Sequence, residues 1–97
     1  SIYLINMVEK DNNMVFVGKK PVMSYVLAVV TQIGKGQNEV RIKARGQSIS
    51  KAVDVVEIVR NKFALDLKVA NVSIGTDVLE IEKEKINVSR IEITVRK

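Results

Sequence analysis

The chain has no cysteine, no histidine and no tryptophan, one proline, two phenylalanines and two tyrosines. Each absence removes a class of function. Without cysteine there is neither disulfide nor thiol nucleophile, and without histidine there is no imidazole base; the ligands usual for zinc or iron go with them. No apolar run approaches the roughly 18 residues of a membrane span. Nor is there a charged segment followed by an apolar stretch and a small-residue cleavage site, so an intracellular, cytoplasmic location is expected. No catalytic residue, metal site or cofactor is expected.

What remains is a small basic protein. Its 97 residues suffice for one hydrophobic core and not for two. Sixteen Lys and Arg against eleven Asp and Glu give a net charge of +5, which suits a polyanionic partner. The distribution says more than the total. Residues 1–13 carry one base and two acids, residues 14–66 nine bases and four acids, and residues 67–97 six bases and five acids, for sums of −1, +5 and +1. The whole excess lies in the centre.

Residues 1–13 start apolar and end polar without a readable period, and are expected to form a variable tail. Met7 within them is a possible native start, which would leave residues 1–6 as an appendage or an extra strand. Residues 14–97 are expected to form the single domain. Met14–Val17 is a β-rich run closed by Gly18, the pattern of a buried strand. Pro21 suits the first turn of a helix, and Val22, Val26, Val29, Val30 and Ile33 recur at helical spacing before Gly34 and Gly36 stop the pattern. No charge interrupts Val22–Ile33, so the weaker face at Ser24, Ala28 and Thr31 is expected to be partly covered.

Val40 and Ile42 alternate with Arg41 and Lys43 in a second strand. Ala44–Gln47 then turns into a second helix, with Gln47 or Ser48 as its cap. Ile49, Ala52, Val53, Val56, Val59 and Phe63 fall on one arc, the expected core face. Ile58 falls opposite, among Lys51, Asp54 and Lys62, as either a subunit contact or one of the single exposed hydrophobes common on protein surfaces. Arg60, at the edge of the arc, fits either a snorkelling role or an ion pair or partner contact. Two alternating runs follow, Leu67–Ile81 and Val88–Val95, with Gly75 an expected bulge or bend. The charged stretch Glu80–Asn87 between them has no Asn-Gly signal and predicts a long projecting hairpin. Glu80, Glu82 and Glu84 on it read as a solvated face.

The order β-α-β-α-β-β implies a mixed sheet with helices packed on it and at least one parallel strand pair. Loops leaving parallel strands at their C-terminal ends share an edge, so Gly18–Pro21 and Lys43–Ser48 should be neighbours. Both are cationic, contain no acid and lead into helix N-termini, which favour anions. Lys19, Lys20, Lys43 and Arg45 are therefore the main candidate contacts to nucleic-acid phosphates. Gln47, Lys51, Lys83 and Lys85 complete the candidate set.

The blocks GKKPVMSYVLAVVTQ, Gly18–Gln32, and IKARGQSISKAVDVVEIVRNKF, Ile42–Phe63, resemble the signature blocks of the Alba family of small basic archaeal chromatin proteins. The likeness runs from about Met14 to Lys97. It implies an α/β two-layer fold similar to the C-terminal domain of initiation factor three: a four-stranded mixed sheet, two helices and a long hairpin between the third and fourth strands. It further implies a homodimer that binds double-stranded DNA and RNA on the chromosome, without enzymatic activity. By motif match Lys19 is the acetylation candidate, Phe63 a contact between dimers along DNA, and the second helix with the last strands the dimer interface. Gln47 stands where the family commonly has a second arginine, and the hairpin is unusually acidic. The acidic arm predicts a smaller non-specific footprint, and the departures leave open a more selective or a less abundant binder than a bulk chromatin coat. A chiefly RNA-directed role, as in ribonuclease P subunits, and a purely structural dimerisation module are the alternatives.

Overall fold

The computed structural model describes residues 8–9, 13–63 and 66–97. Residues 1–7, including the possible start at Met7, lie outside the described residues. A two-residue strand, Val8–Glu9 (β1), lies in the segment read as a tail and pairs antiparallel with Met14–Val17 (β2). The remaining elements follow the expected order: helix α1 (Val22–Gly34), strand β3 (Glu39–Arg45), helix α2 (Ile49–Ile58), strand β4 (Lys68–Ile81) and strand β5 (Glu84–Arg96). The sheet order is β1-β2-β3-β5-β4, with β2 and β3 parallel and the other neighbours antiparallel.

Alternation decides which sheet face carries the helices. Val15 and Val17 of β2, Val40, Ile42 and Ala44 of β3, and Ile91, Ile93 and Val95 of β5 form one core with Tyr25, Val26, Ala28 and Val29 of α1 and with Ala52, Val55 and Val56 of α2. Arg41, Lys43, Arg45, Arg90 and Glu92, one register step away, belong to the opposite face. On α1, Ala28 and Tyr25 are fully covered, while Met23 and Leu27 form its exposed side.

The core face of α2 is rotated from the sequence expectation. Val55 is fully buried, whereas Val53 is 43% exposed. Ile58, expected on the solvent side, packs against the core and lines a shallow groove with Val22, Asp54, Asn61 and Lys62. The cause is that α2 lies over the centre of the sheet with Ala52, Val55, Val56 and Val59 inward, which brings Ile58 to the flank of the buried stripe. After Ile58 the helix widens into a π-type turn, Val59–Phe63, and Phe63 at its end is 52% exposed instead of buried.

In the last strands the long projecting hairpin is present as expected, and one expectation is corrected. The bulge of β4 lies between Val69 and Asn71, at Ala70, while Gly75 pairs regularly with Arg90. The guanidinium of Arg90 lies across Gly75, and a Cβ there would displace it. The hairpin turn is tight, because Ile81 pairs with Glu84 and only Glu82 and Lys83 intervene. Both have positive φ, 51° and 70°, the signs of a type I′ turn, whose twist matches the flanking strands. The charged stretch is therefore mostly paired strand. At about 3.4 Å per residue, strands of 13 and 14 residues reach the 44 Å long axis of the molecule.

The corrected helix face has a direct stability consequence. Val55→Ala removes two buried methyl groups and should lower the unfolding free energy by about 2 kcal/mol. Urea denaturation should find Ser50→Ala, at an exposed position of the same helix, close to wild type.

Candidate nucleic-acid interface

Parallel pairing of β2 with β3, from Met14 against Arg41 to Val17 against Ala44, sends both chains out of the sheet at the same edge. The loop after β2 holds Lys19 and Lys20, both exposed, while exposed Arg45 ends β3 and exposed Gln47 lies in the turn that follows. Gly18, Lys19, Lys43, Arg45 and Ser48 line one concavity of about 310 Å³. The two loops expected to be neighbours are neighbours.

Each loop leads into a helix whose first turn has no side-chain cap. Pro21 is the N-cap of α1 and has no capping side chain. Ser48 occupies the N-cap of α2, but neither it nor Gln47 makes the expected capping bond. A tight turn, Gly46–Ser48, puts Ser48 in helical geometry, with φ −86° and ψ −3°. Gly46 opens that turn at φ +53°, a conformation that side chains other than glycine's resist. Backbone carbonyls take part of each first turn, Pro21 from the Ser24 N–H and Gly46 from the Ile49 N–H, and no side chain covers either helix start.

The first loop is held in place by two side chains. Lys51 of α2 donates from Nζ to the carbonyl oxygens of Gly18, at 3.0 Å, and Lys20, at 2.7 Å. Its ammonium ties α2 to the loop, a structural task that its sequence pattern did not reveal. The hydroxyl of Tyr25 accepts from the Lys20 backbone N–H at 3.1 Å. Tyr25 is otherwise buried, and a buried tyrosine hydroxyl ordinarily finds a partner, which is the signal that would have found it.

The second loop is held by an acid from the hairpin. Asp77 accepts from Arg45 Nε at 2.8 Å through Oδ2 and from Arg90 Nη1 at 2.7 Å through Oδ1. Arg90 also donates to the Thr76 carbonyl at 2.9 Å, which fixes its guanidinium over Gly75. Desolvation raises the Asp77 carboxyl, but hydrogen bonds from Arg45 and Arg90 and the charges of both outweigh it, leaving the group below its ordinary value of 3.8. Asp77 and Arg90 were not singled out from the sequence. The available signal was that Asp77 is the only acid between Leu67 and Leu79.

Lys43 lies on the same surface, its ammonium 6.0 Å from the centroid of the Phe16 ring. Lys83 and Lys85 are not part of this cluster; they stand at the exposed hairpin tip, Lys85 opposite Glu80. Among the described residues no three carboxylates gather in a way that would hold a metal ion.

Fold and surface together define a class: a small two-layer α/β protein with a cationic loop edge and a long β-arm. Comparison with known proteins makes the class specific. The Alba family profile matches residues 13–76. The DNA/RNA-binding protein Alba of Methanocella arvoryzae is 53% identical over 88 residues, 90% of this chain and 92% of that protein. The protein of the same name from Thermoplasma acidophilum is 54% identical over 85 residues, 88% and 96% of the two chains. Among solved structures, Alba from Thermoplasma volcanium superposes with a TM-score of 0.84 at 54% identity, covering 87% of this chain and 99% of its own. ALBA1 from Trypanosoma brucei gives 0.74 at 26% identity, covering 92% and 72%. The chain belongs to the Alba family, a non-enzymatic family.

The Asp77 bridge makes a pH-dependent prediction. Because its carboxyl is depressed in the folded state, the stability it contributes is fully present above the unfolded value of 3.8 and is lost as pH falls through the folded value. Asp77→Asn should therefore be less stable than wild type at pH 7, and the difference should close on acidification below that value. Parallel urea titrations at neutral and acid pH measure it.

Proposed function

We propose that the chain is a homodimeric nucleic-acid-binding protein that engages double-stranded DNA and RNA through phosphate contacts from Lys19, Lys20, Lys43 and Arg45 of both subunits. The observation that carries this reading is the convergence of the two acid-free cationic loops at one sheet edge beside two uncapped helix starts. Contacts of this kind position a protein on the backbone without reading bases. The relatives' name, DNA/RNA-binding protein, agrees with it. Lys51 supports the site from below, and Lys83 and Lys85 meet phosphate only as far as the acidic arm allows. The expected location is the cytoplasm, on the chromosome, and acetylation of exposed Lys19 would remove one charge and one donor.

The dimer reading rests on an uncovered apolar surface. In β4, Val72 and Ile74 pair with Ile93 and Ile91 and so continue the core face, but they are exposed, Ile74 at 78%. Beside them Val53, Val56, Val69 and Val72 line a groove with Arg60, whose Nε is buried without a hydrogen-bond partner. Arg60 pairs through Nη1 with Glu57 at 2.7 Å. A second copy laid against this groove and edge strand covers the surface symmetrically. Phe63, exposed at the end of the π-type turn, offers a contact between dimers along DNA.

Eight phosphate contacts per dimer predict a log–log salt slope of about −7 for duplex DNA, at −0.9 per contact. Lys19→Glu with Lys20→Glu should reduce the slope to about −4 and weaken all sequences alike. Gel shifts over salt and sequence test this; an affinity indifferent to salt would sink the reading.

Ile74→Asp should shift the protein to monomer in sedimentation. Two copies of the side chain leave each interface, about 3–6 kcal/mol of apolar burial in total.

A further inference from the structure

Phe16 is exposed where its strand neighbours are not. Val15 and Val17 are buried under the helices, while Phe16 between them faces the other side of the sheet and is 43% exposed. Its cross-strand partner is Lys43, whose ammonium stands 6.0 Å from the ring centroid, at the outer limit of a cation–π contact. The ring forms one wall of the concavity of about 310 Å³ whose other walls include Gly18, Lys19, Lys43, Arg45 and Ser48. An apolar plate is thus set among three cations at the edge where the proposed phosphate contacts lie.

We propose that this concavity takes an unpaired nucleobase, stacked on Phe16, with its flanking phosphates on Lys19, Lys43 and Arg45. The inference rests on the nucleic-acid reading given above and adds a ligand class to it. A duplex keeps its bases stacked inside and offers this edge only phosphates, for which cations suffice and an aromatic ring contributes nothing. A single strand exposes π-faces, and stacking on an aromatic beside a cationic track is the general chemistry of single-strand binding. Because every base has such a face, the site is tolerant of sequence. Asp77, holding Arg45 by Nε, leaves the terminal guanidinium nitrogens to turn toward a phosphate. Single-stranded RNA and DNA share this chemistry, and the phosphate loops then serve both duplex and unpaired strands with one added anchor.

The test compares a single-stranded oligothymidylate with a mixed-sequence duplex of the same length, by fluorescence anisotropy at matched salt. Phe16→Leu keeps an apolar side chain in the strand and should leave the circular dichroism and duplex affinity unchanged. Single-strand affinity should fall about five- to a hundred-fold, the usual effect of losing one stacking aromatic. Phe16→Trp should retain single-strand affinity, and because the chain has no other tryptophan its fluorescence reports the contact directly. Quenching by the single strand and not by the duplex supports stacking. Equal losses for both ligands in Phe16→Leu, no loss in either, or an indole that the single strand does not quench would overturn the inference. Wild-type protein that binds duplex but not the single strand overturns this inference alone; wild-type protein that binds neither at low salt overturns the underlying reading as well.

Discussion

The parallel register of β2 on β3 is the constraint on which the rest of the molecule depends. A parallel pair cannot be closed by a tight turn, so the chain must cross over, and α1 is that crossover. Once the crossover is made, both strands end at the same edge, and two loops distant in sequence become one surface. The same register fixes the faces: Val15 and Val17 go under the helices, and Phe16 and Lys43 go to the other side. A slip of one residue would bury Lys43 and expose Ile42, at a cost no surface interaction could offset. Lys51 of α2 and Tyr25 of α1 then hold the first loop from the helix layer.

Charge is distributed so that the loops differ from the sheet. On the face opposite the helices, Arg41 pairs with Glu92 at 3.7 Å, Arg96 with Glu39 at 2.6 Å, and Arg45 and Arg90 share Asp77. Exposed pairs of this kind contribute about 0–1 kcal/mol each, too little to be what holds the fold. Their effect is on the field. The arginines of the sheet are largely neutralised in place, while the loop after β2 carries lysines with no acid beside them in sequence. Arg45 belongs to both regions, and Asp77 sets how much of its charge the loop presents.

Much of this was legible in the sequence, for identifiable reasons. The strand Met14–Val17, both helices, the parallel pair and the meeting of the two loops follow from periodicity, Gly and Pro punctuation and crossover topology, all of them local or nearly so. What failed depended on neighbours that local pattern does not encode. The cap of α2 was misread because the turn at Gly46 brings Ser48 into helical geometry before the helix begins. Val53 and Val55 were exchanged because a helical wheel gives a stripe and not its bearing on the sheet. The projecting hairpin was legible but the tightness of its turn was not, because Glu82 and Lys83 adopt positive φ without the Asn-Gly pair that usually signals it. Asp77 joins side chains 32 and 13 residues away, a link only the sheet register could supply.

The exposed apolar edge of β4 is limited at both ends. A long edge strand with Val69, Val72, Ile74 and Val78 exposed is a template for unwanted pairing. Natural edges are blunted by bulges and charges, and β4 has both: the irregularity at Ala70 interrupts its ladder near the start, and Glu80, Glu82, Lys83, Glu84 and Lys85 crowd its far end. Between these limits lies the apolar part, bordered by the groove along α2 that holds the unpartnered Nε of Arg60. Charges at one end and a bulge at the other leave a partner only the middle of the strand, which restricts both the length and the register of whatever docks there.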